Sequence, residues 1–330
     1  MAKRLASGCA LLIIVAVAAL FGSLWLEHRS AAALPAPMRA ASRGSSIFAL
    51  LTRDLSKVRA HSHRGGTLSP RQRAYPVVLM RGGASAEAVK YSTLAEDLAS
   101  HGYVVIGIDA PYRTGLVVFP DGRVMRRTAE NNPELVSGKE LERRAESLLA
   151  AWTADMSFAL DRLAQLNASD ASGRFTGRLD MARVGAFGHS FGGAQAAQWC
   201  HDDRRCKAGI DIDGAPLGSV VRSGIGRPFL FLLSDHGGES DAESARILAN
   251  VRSLHGLQLM IRGANHFTFS DDAIVKSRAL LGVLRLFGKL RIDERRQLEI
   301  TAYCVRNFFD ANLKGAPLDL TRYPEIQRFD

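Results

Sequence analysis

The stretch Arg183–Gly193, RVGAFGHSFGG, constrains this chain more than any other. Val184, Ala186 and Phe187 are strand-like, and AQAAQWC after Gly193 is helix-forming. Between them, Ser190 stands in the pattern Gly188-His189-Ser190-Phe191-Gly192. A serine between two glycines at a sharp strand-to-helix turn is a nucleophile elbow. The turn holds the serine in a strained conformation that lifts its hydroxyl above a sheet. Side chains at Gly188 and Gly192 would collide with the neighbouring helix and strand. The first turn of the helix brings backbone N–H groups and the positive end of its dipole to the same place.

The flanking sequence supplies the rest of such a sheet. Pro76–Met80 (PVVLM) predicts a strand, Arg81–Ser85 a tight loop, Ala86–His101 a helix and Tyr103–Ile108 (YVVIGI) a second strand. Ala208–Ile212, Pro228–Leu233 and Leu257–Ile261 continue the series. Helices are expected at Lys139–Asn167, Glu239–Leu254, Ile274–Phe287 and Asp293–Leu313. Near-continuous apolar strands alternating with helices indicate an α/β chain with a mostly parallel sheet. Together with the elbow, this is the pattern of an α/β-hydrolase fold, with residues 75–330 as the catalytic domain. Residues 110–138 interrupt the alternation: VVFPDGRVM predicts a hairpin turning at Asp121-Gly122, a lid insertion above the sheet.

The first 74 residues read differently. Lys3 and Arg4 precede an uncharged run from Leu5 to Leu26 that is long enough to span a bilayer. Residues 1–26 are therefore expected to be a membrane anchor with the catalytic domain outside the cytoplasm, the alternative being a signal cleaved near Ala31–Ala33 and a secreted enzyme. Residues 27–74, broken by Pro35, Pro37, Gly65, Gly66 and Pro70, form a linker. The formal charge of +10 is scattered through the chain, without a basic helix or interleaved aromatics, so nucleic-acid binding is not expected. Cys200 and Cys206 lie six apart in WCHDDRRC; outside the cytoplasm they are expected to be bridged. No second ligand pair accompanies them, and no metal is assigned. Cys304 reads as a helix core residue.

A serine nucleophile needs a base and an acid that orients it. His266, in the loop after the last predicted strand (RGANHFTFSDD), is where this fold carries its histidine. Asp213 and Asp235 both end strands at the carboxyl edge of the sheet, and Asp235 occupies the position most of the fold uses. Asp211 would face the opposite side from Asp213 in a regular strand and ranks third. The oxyanion donors are expected to be the N–H groups of Phe191 and Gly83. His189 is taken to be locked within the elbow.

LAEDLASHGYVVIGID, GHSFGG, AGIDIDGAP and ANHFTFSD together resemble the platelet-activating factor acetylhydrolase group and its bacterial carboxylic-ester hydrolase relatives, over about residues 75–315. The resemblance implies that the acid follows the strand directly after the nucleophile helix, which moves the assignment to Asp213, with Asp235 as the alternative. It implies a cofactor-independent, metal-independent serine esterase that acts on short or oxidised acyl chains of phospholipids, or on small carboxylic esters. Where the family usually has His-Gly before the oxyanion residue, this chain has Arg81-Gly82. Two alternatives stand beside this reading: a polyester- or dienelactone-type hydrolase on the same fold, and a binding protein that kept the fold without catalysis.

Overall fold

Apolar runs that a chain can bury on both faces become the strands of one sheet. The computed structural model describes residues 60–63, 65–235, 249–252, 254–276, 278–288 and 290–329. Within these, the strands are β1 (Tyr75–Arg81), β2 (Val104–Ile108), β5 (Leu179–His189), β6 (Cys206–Ile212), β7 (Phe229–Leu233), β8 (Leu257–Ile261) and β9 (Ile326–Phe329). Their order across the sheet is β2-β1-β5-β6-β7-β8-β9. All neighbours are parallel except β9, which closes the edge antiparallel to β8. A separate hairpin of β3 (Leu116–Val118) and β4 (Val124–Arg126) turns at Asp121-Gly122.

The helices are α1 (Ser92–Ser100), α2 (Gly138–Ala168), α3 (Phe191–Asp202), α4 (Val220–Ser223), α5 (Asp272–Val275), α6 (Arg278–Leu286) and α7 (Glu294–Lys314). The chain divides into two units, Ser62–Asp271 with Ile292–Asp330, and Met1–His61 with Asp272–Arg291. The first holds the whole sheet. In it, Val77, Leu79, Val184, Ala186 and Phe231 of the sheet pack with Met156 and Leu160 of α2 and Ala196 and Trp199 of α3, all fully buried. Each large apolar side chain buried in this way contributes about 1.5–3 kcal/mol. In the second unit the described elements are α5 and α6.

Several boundaries differ from the sequence reading. The helix expected from Ala86 begins at Ser92, because Ala88–Tyr91 forms a 3-10 turn first. The single helix expected at Ile274–Phe287 is two elements, α5 and α6. β9 was not foreseen: QRF carries two polar residues and no apolar run. Most of the helix expected at Glu239–Leu254 and all of the expected anchor at 1–26 lie outside the described residues. Among the described residues no helix is long and apolar enough to cross a membrane.

The parallel strands bring their carboxyl ends to one edge, the usual place for a site in an open α/β sheet. β1 delivers Gly82 and Gly83 there, β5 Ser190, β6 Asp213, β7 Ser234 and Asp235, and the loop after β8 His266.

Candidate active site

Ser190 occupies the single residue between β5 and α3, with φ 56° and ψ −124°. Positive φ is costly for any residue with a Cβ, by about 1–3 kcal/mol, and persists only where the surroundings enforce it. They do so from both sides. The Ser190 N–H donates to the Ile212 carbonyl at 2.8 Å, and its carbonyl accepts from Gly193 and Ala194 at 2.9 and 3.1 Å. A Cβ at Gly188 would overlap the carbonyl of Gly192, and one at Gly192 would overlap the carbonyls of Gly82 and Arg81. The two glycines therefore let α3 start hard against β1 and β5, as their spacing predicts.

Asp213 follows β6 directly, also at positive φ, 53°. Its side chain is 4% exposed and accepts from His266 Nδ1 at 2.7 Å, from the Ser234 N–H at 2.7 Å and from Ser234 Oγ at 2.7 Å. Burial alone would raise its pKa. The bond to His266 and the two from Ser234 outweigh burial and hold the carboxyl below its ordinary range. With Nδ1 held by a carboxylate, the other ring nitrogen of His266 is Nε2, on the opposite side of the imidazole.

Asp235, the alternative acid, lies elsewhere in the same loop system. Its N–H donates to the Ala264 carbonyl at 3.0 Å, and its Oδ2 accepts from the Gly263 N–H at 2.7 Å. It fastens the turn after β8 that leads to His266. Asp211 is buried under the elbow with Oδ1 on the Gly214 N–H at 2.8 Å; burial first, and the nearby Asp213 charge, push its pKa well up.

The His266 loop is held at three further points that the sequence did not reveal. Gln297, fully buried on α7, takes the Asn265 N–H at 3.0 Å and gives its own amide to the Asn265 carbonyl at 2.9 Å. The Asn265 side chain accepts from the Phe267 N–H at 2.9 Å. His189 meets the His266 carbonyl through Nε2 at 3.0 Å, its ring centroid 4.6 Å from that of His266. A glutamine 32 residues downstream carries no signal that could have linked it to this loop.

The two expected oxyanion donors lie on different elements. Phe191 is the first residue of α3, and its ring sits edge-on to Trp152 at 5.0 Å. Trp152 in turn lies under the Arg81 guanidinium at 4.3 Å, and Arg81 pairs with Asp155 at 2.9 Å. Arg81 is 1% exposed, and desolvation lowers its pKa to about 10 against the support of Asp155. Gly83 lies beside the serine, where a Cβ on it would be 3.4 Å from Ser190 Cβ. Its N–H, however, donates to the Tyr91 hydroxyl at 3.0 Å. Gly83, expected from the sequence as an oxyanion donor, thus has its N–H on a buried phenol in this structure.

Among the described residues no cluster of three or more His, Cys, Asp or Glu side chains could hold a metal ion. Cys200 at the end of α3 and Cys206 at the start of β6 are bridged, and Cys304 is a free, buried thiol whose pKa burial raises to about 12.

One family pattern matches most of the chain. The pattern of the family described as platelet-activating factor acetylhydrolase, isoform II, covers residues 20–117 and 124–317. The chain belongs to that family. A protein of Arthroderma benhamiae named as a probable 1-alkyl-2-acetylglycerophosphocholine esterase is 28% identical, over 89% of this chain and 76% of its own. The platelet-activating factor acetylhydrolase of Cavia porcellus is 26% identical over 66% of this chain, which spans about half of that relative (53%). A solved ferulic acid esterase from Streptomyces cinnamoneus superposes with a TM-score of 0.68 at 26% identity, over 84% of this chain and 80% of the other. The acetylhydrolase-family chain thus has an α/β-hydrolase fold and is a carboxylic ester hydrolase.

Proposed function

We propose that this enzyme cleaves carboxylic esters through Ser190, His266 and Asp213, and that short-acyl or oxidised phospholipids are its substrate class. The observation that carries the triad is the 2.7 Å bond between His266 Nδ1 and a buried Asp213 carboxylate, in a loop tied to the residue before Ser190. The Ser190 oxygen attacks the ester carbonyl while its proton passes to His266 Nε2. Negative charge gathers on the carbonyl oxygen, and the Phe191 N–H at the start of α3 faces it with the dipole of the helix behind. The tetrahedral intermediate collapses, the leaving alcohol takes the proton from His266, and an acyl-serine remains. Water then attacks the acyl carbon, giving its proton to the same nitrogen, and the acid and free serine are released. Asp213 keeps the imidazole in the tautomer with Nδ1 protonated and stabilises the imidazolium at each step.

The phospholipid assignment is supported by the names of the acetylhydrolase relatives, and the basic anchor sequence at 1–26 supports placement of the enzyme on a membrane outside the cytoplasm. Labelling with a fluorescent phosphonate, together with hydrolysis of phosphatidylcholines bearing acetyl to palmitoyl groups, tests the reading. Wild type should be labelled and favour the short acyl chains, and Ser190→Ala should lose the label and at least a thousandfold in turnover while folding normally. Ser190→Ala turnover within tenfold of wild type would remove the nucleophile. For the anchor, residues 1–26 should retain the enzyme in the membrane fraction; a mature N-terminus near Ala33 would establish a cleaved signal.

A further inference from the structure

Three hydrogen bonds join the loop after β1 to the loop that carries His266, and they pass through side chains to which the catalytic reading gives no role. The Gly83 N–H meets Tyr91 Oη at 3.0 Å, Tyr91 Oη meets His189 Nδ1 at 2.8 Å, and His189 Nε2 meets the His266 carbonyl at 3.0 Å. Chemistry dictates every direction. A carbonyl can only accept, so His189 Nε2 carries the proton and Nδ1 a lone pair. Nδ1 then accepts, so the Tyr91 hydroxyl donates to it. The hydroxyl oxygen accepts from Gly83, whose N–H can only donate. The chain is neutral, unidirectional and shut away from water: Tyr91 is 1% exposed and His189 6%.

We propose that Tyr91 and His189 are positioning residues that fix the Gly83 peptide and the His266 backbone at one mutual distance beside the elbow that carries Ser190. The proposal rests on the triad reading of Ser190, His266 and Asp213. Its force lies in where the chain ends. One end is the peptide beside the serine; the other is the main chain of the base itself. Bonds shielded from water are stronger and polarise one another, so the chain resists stretching as a unit. Packing supports it: the Tyr91 ring sits where a Cβ on Gly82 would be 2.9 Å from its Cε2, and the His189 ring lies 4.6 Å from His266 and 5.9 Å from Phe269. Burial also lowers the His189 pKa to about 3, with the neighbouring His266 acting in the same direction, which favours the required neutral form near neutral pH. Displacements of about 1 Å between reacting groups cost about a hundredfold in rate. The effect therefore belongs in kcat.

The test is a double-mutant cycle on the full chain with p-nitrophenyl acetate. Tyr91→Phe keeps the ring and removes the hydroxyl; His189→Leu removes both ring nitrogens. Each should lower kcat at least tenfold with KM within threefold, and the double variant should be no worse than the poorer single one, because either change breaks the same chain. Tyr91→Phe within threefold of the wild-type kcat, a change carried by KM, or losses that multiply in the double variant would overturn the proposal. A measurement on the unmutated protein is independent of how the variants fold. Its histidine ¹⁵N spectrum should show His189 protonated at Nε2 and bare at Nδ1 from pH 5 to 8, and the opposite tautomer would overturn the chain. Full activity of Ser190→Ala would instead defeat the triad reading, so the two failures are distinguishable.

Discussion

Two carboxylates end neighbouring strands, and only their hydrogen bonds separate their roles. Asp213 gives its carboxylate to His266 and Ser234, whereas Asp235 gives its carboxylate to a main-chain N–H in the turn before the histidine. Asp213→Asn leaves a neutral amide against Nδ1, favours the wrong tautomer and removes the charge that supports the imidazolium. Its kcat should fall by about ten-thousandfold, the size of the same loss in a serine protease. Asp235→Asn keeps an acceptor for the Gly263 N–H, and kcat should stay within about tenfold of wild type. Steady-state kinetics of both variants on one activated ester decide the matter, and a dead Asp235→Asn beside an active Asp213→Asn would reverse the assignment. The sequence placed both aspartates at the correct edge but could not choose between them on spacing alone. The choice depends on Ser234, whose N–H and hydroxyl both turn toward Asp213, a detail of side-chain direction rather than of pattern.

The elements most legible from sequence were those with an unbroken local signal. The strand around Phe231 is a continuous apolar run, those around Val77, Ile210 and Leu259 are nearly so, and α3 follows its two glycines. What could not be read depended on contacts distant in sequence: β9 exists only as a partner for β8, and Gln297 reaches Asn265 from across the fold. The Cys200–Cys206 bridge stands between these cases, a short spacing that the structure closes between the end of α3 and the start of β6. Those two elements carry Ser190 at one end and Asp213 at the other. Closing so short a loop in the unfolded chain stabilises by about 2 kcal/mol. Replacing both cysteines with alanine should therefore lower the free energy of unfolding in urea by about that amount or slightly more, given the two buried sulfurs. kcat should change little, because the bridge lies at the far ends of both elements from the site. Free thiols in the non-reduced wild-type protein, or no loss of stability in the double variant, would contradict this.

At the scale of the whole molecule, the buried titratable groups around the site set how stability follows pH. His189 has its pKa lowered to about 3, against about 6.5 in an unfolded chain. Its contribution is complete above about pH 6.5 and is lost as pH falls toward 3, because only the unfolded state takes up the proton in that window. Asp211 works in the other direction. It is 1% exposed, lies against the start of α3, and is pushed well above the ordinary carboxylate range by burial and then by the Asp213 charge. A raised acid holds its proton in the folded state, so its contribution is complete below the unfolded value of about 3.9 and declines as pH rises, by about 1.4 kcal/mol per pH unit, until the folded pKa is passed. The two slopes oppose one another: His189 adds stability as pH rises toward 6.5, while Asp211 loses it as pH rises above the unfolded carboxylate value. Asp211→Asn keeps an acceptor for the Gly214 N–H and does not titrate. Relative to wild type it should therefore gain stability as pH rises above the unfolded carboxylate value, until the folded pKa of Asp211 is passed, whatever its offset at low pH, and should retain ester hydrolysis because Asp213 is untouched. Urea unfolding of both proteins at pH 5, 6.5 and 8 measures the difference. A difference that stays constant across the three would show that Asp211 is ionised in the folded protein and that its charge is balanced in place.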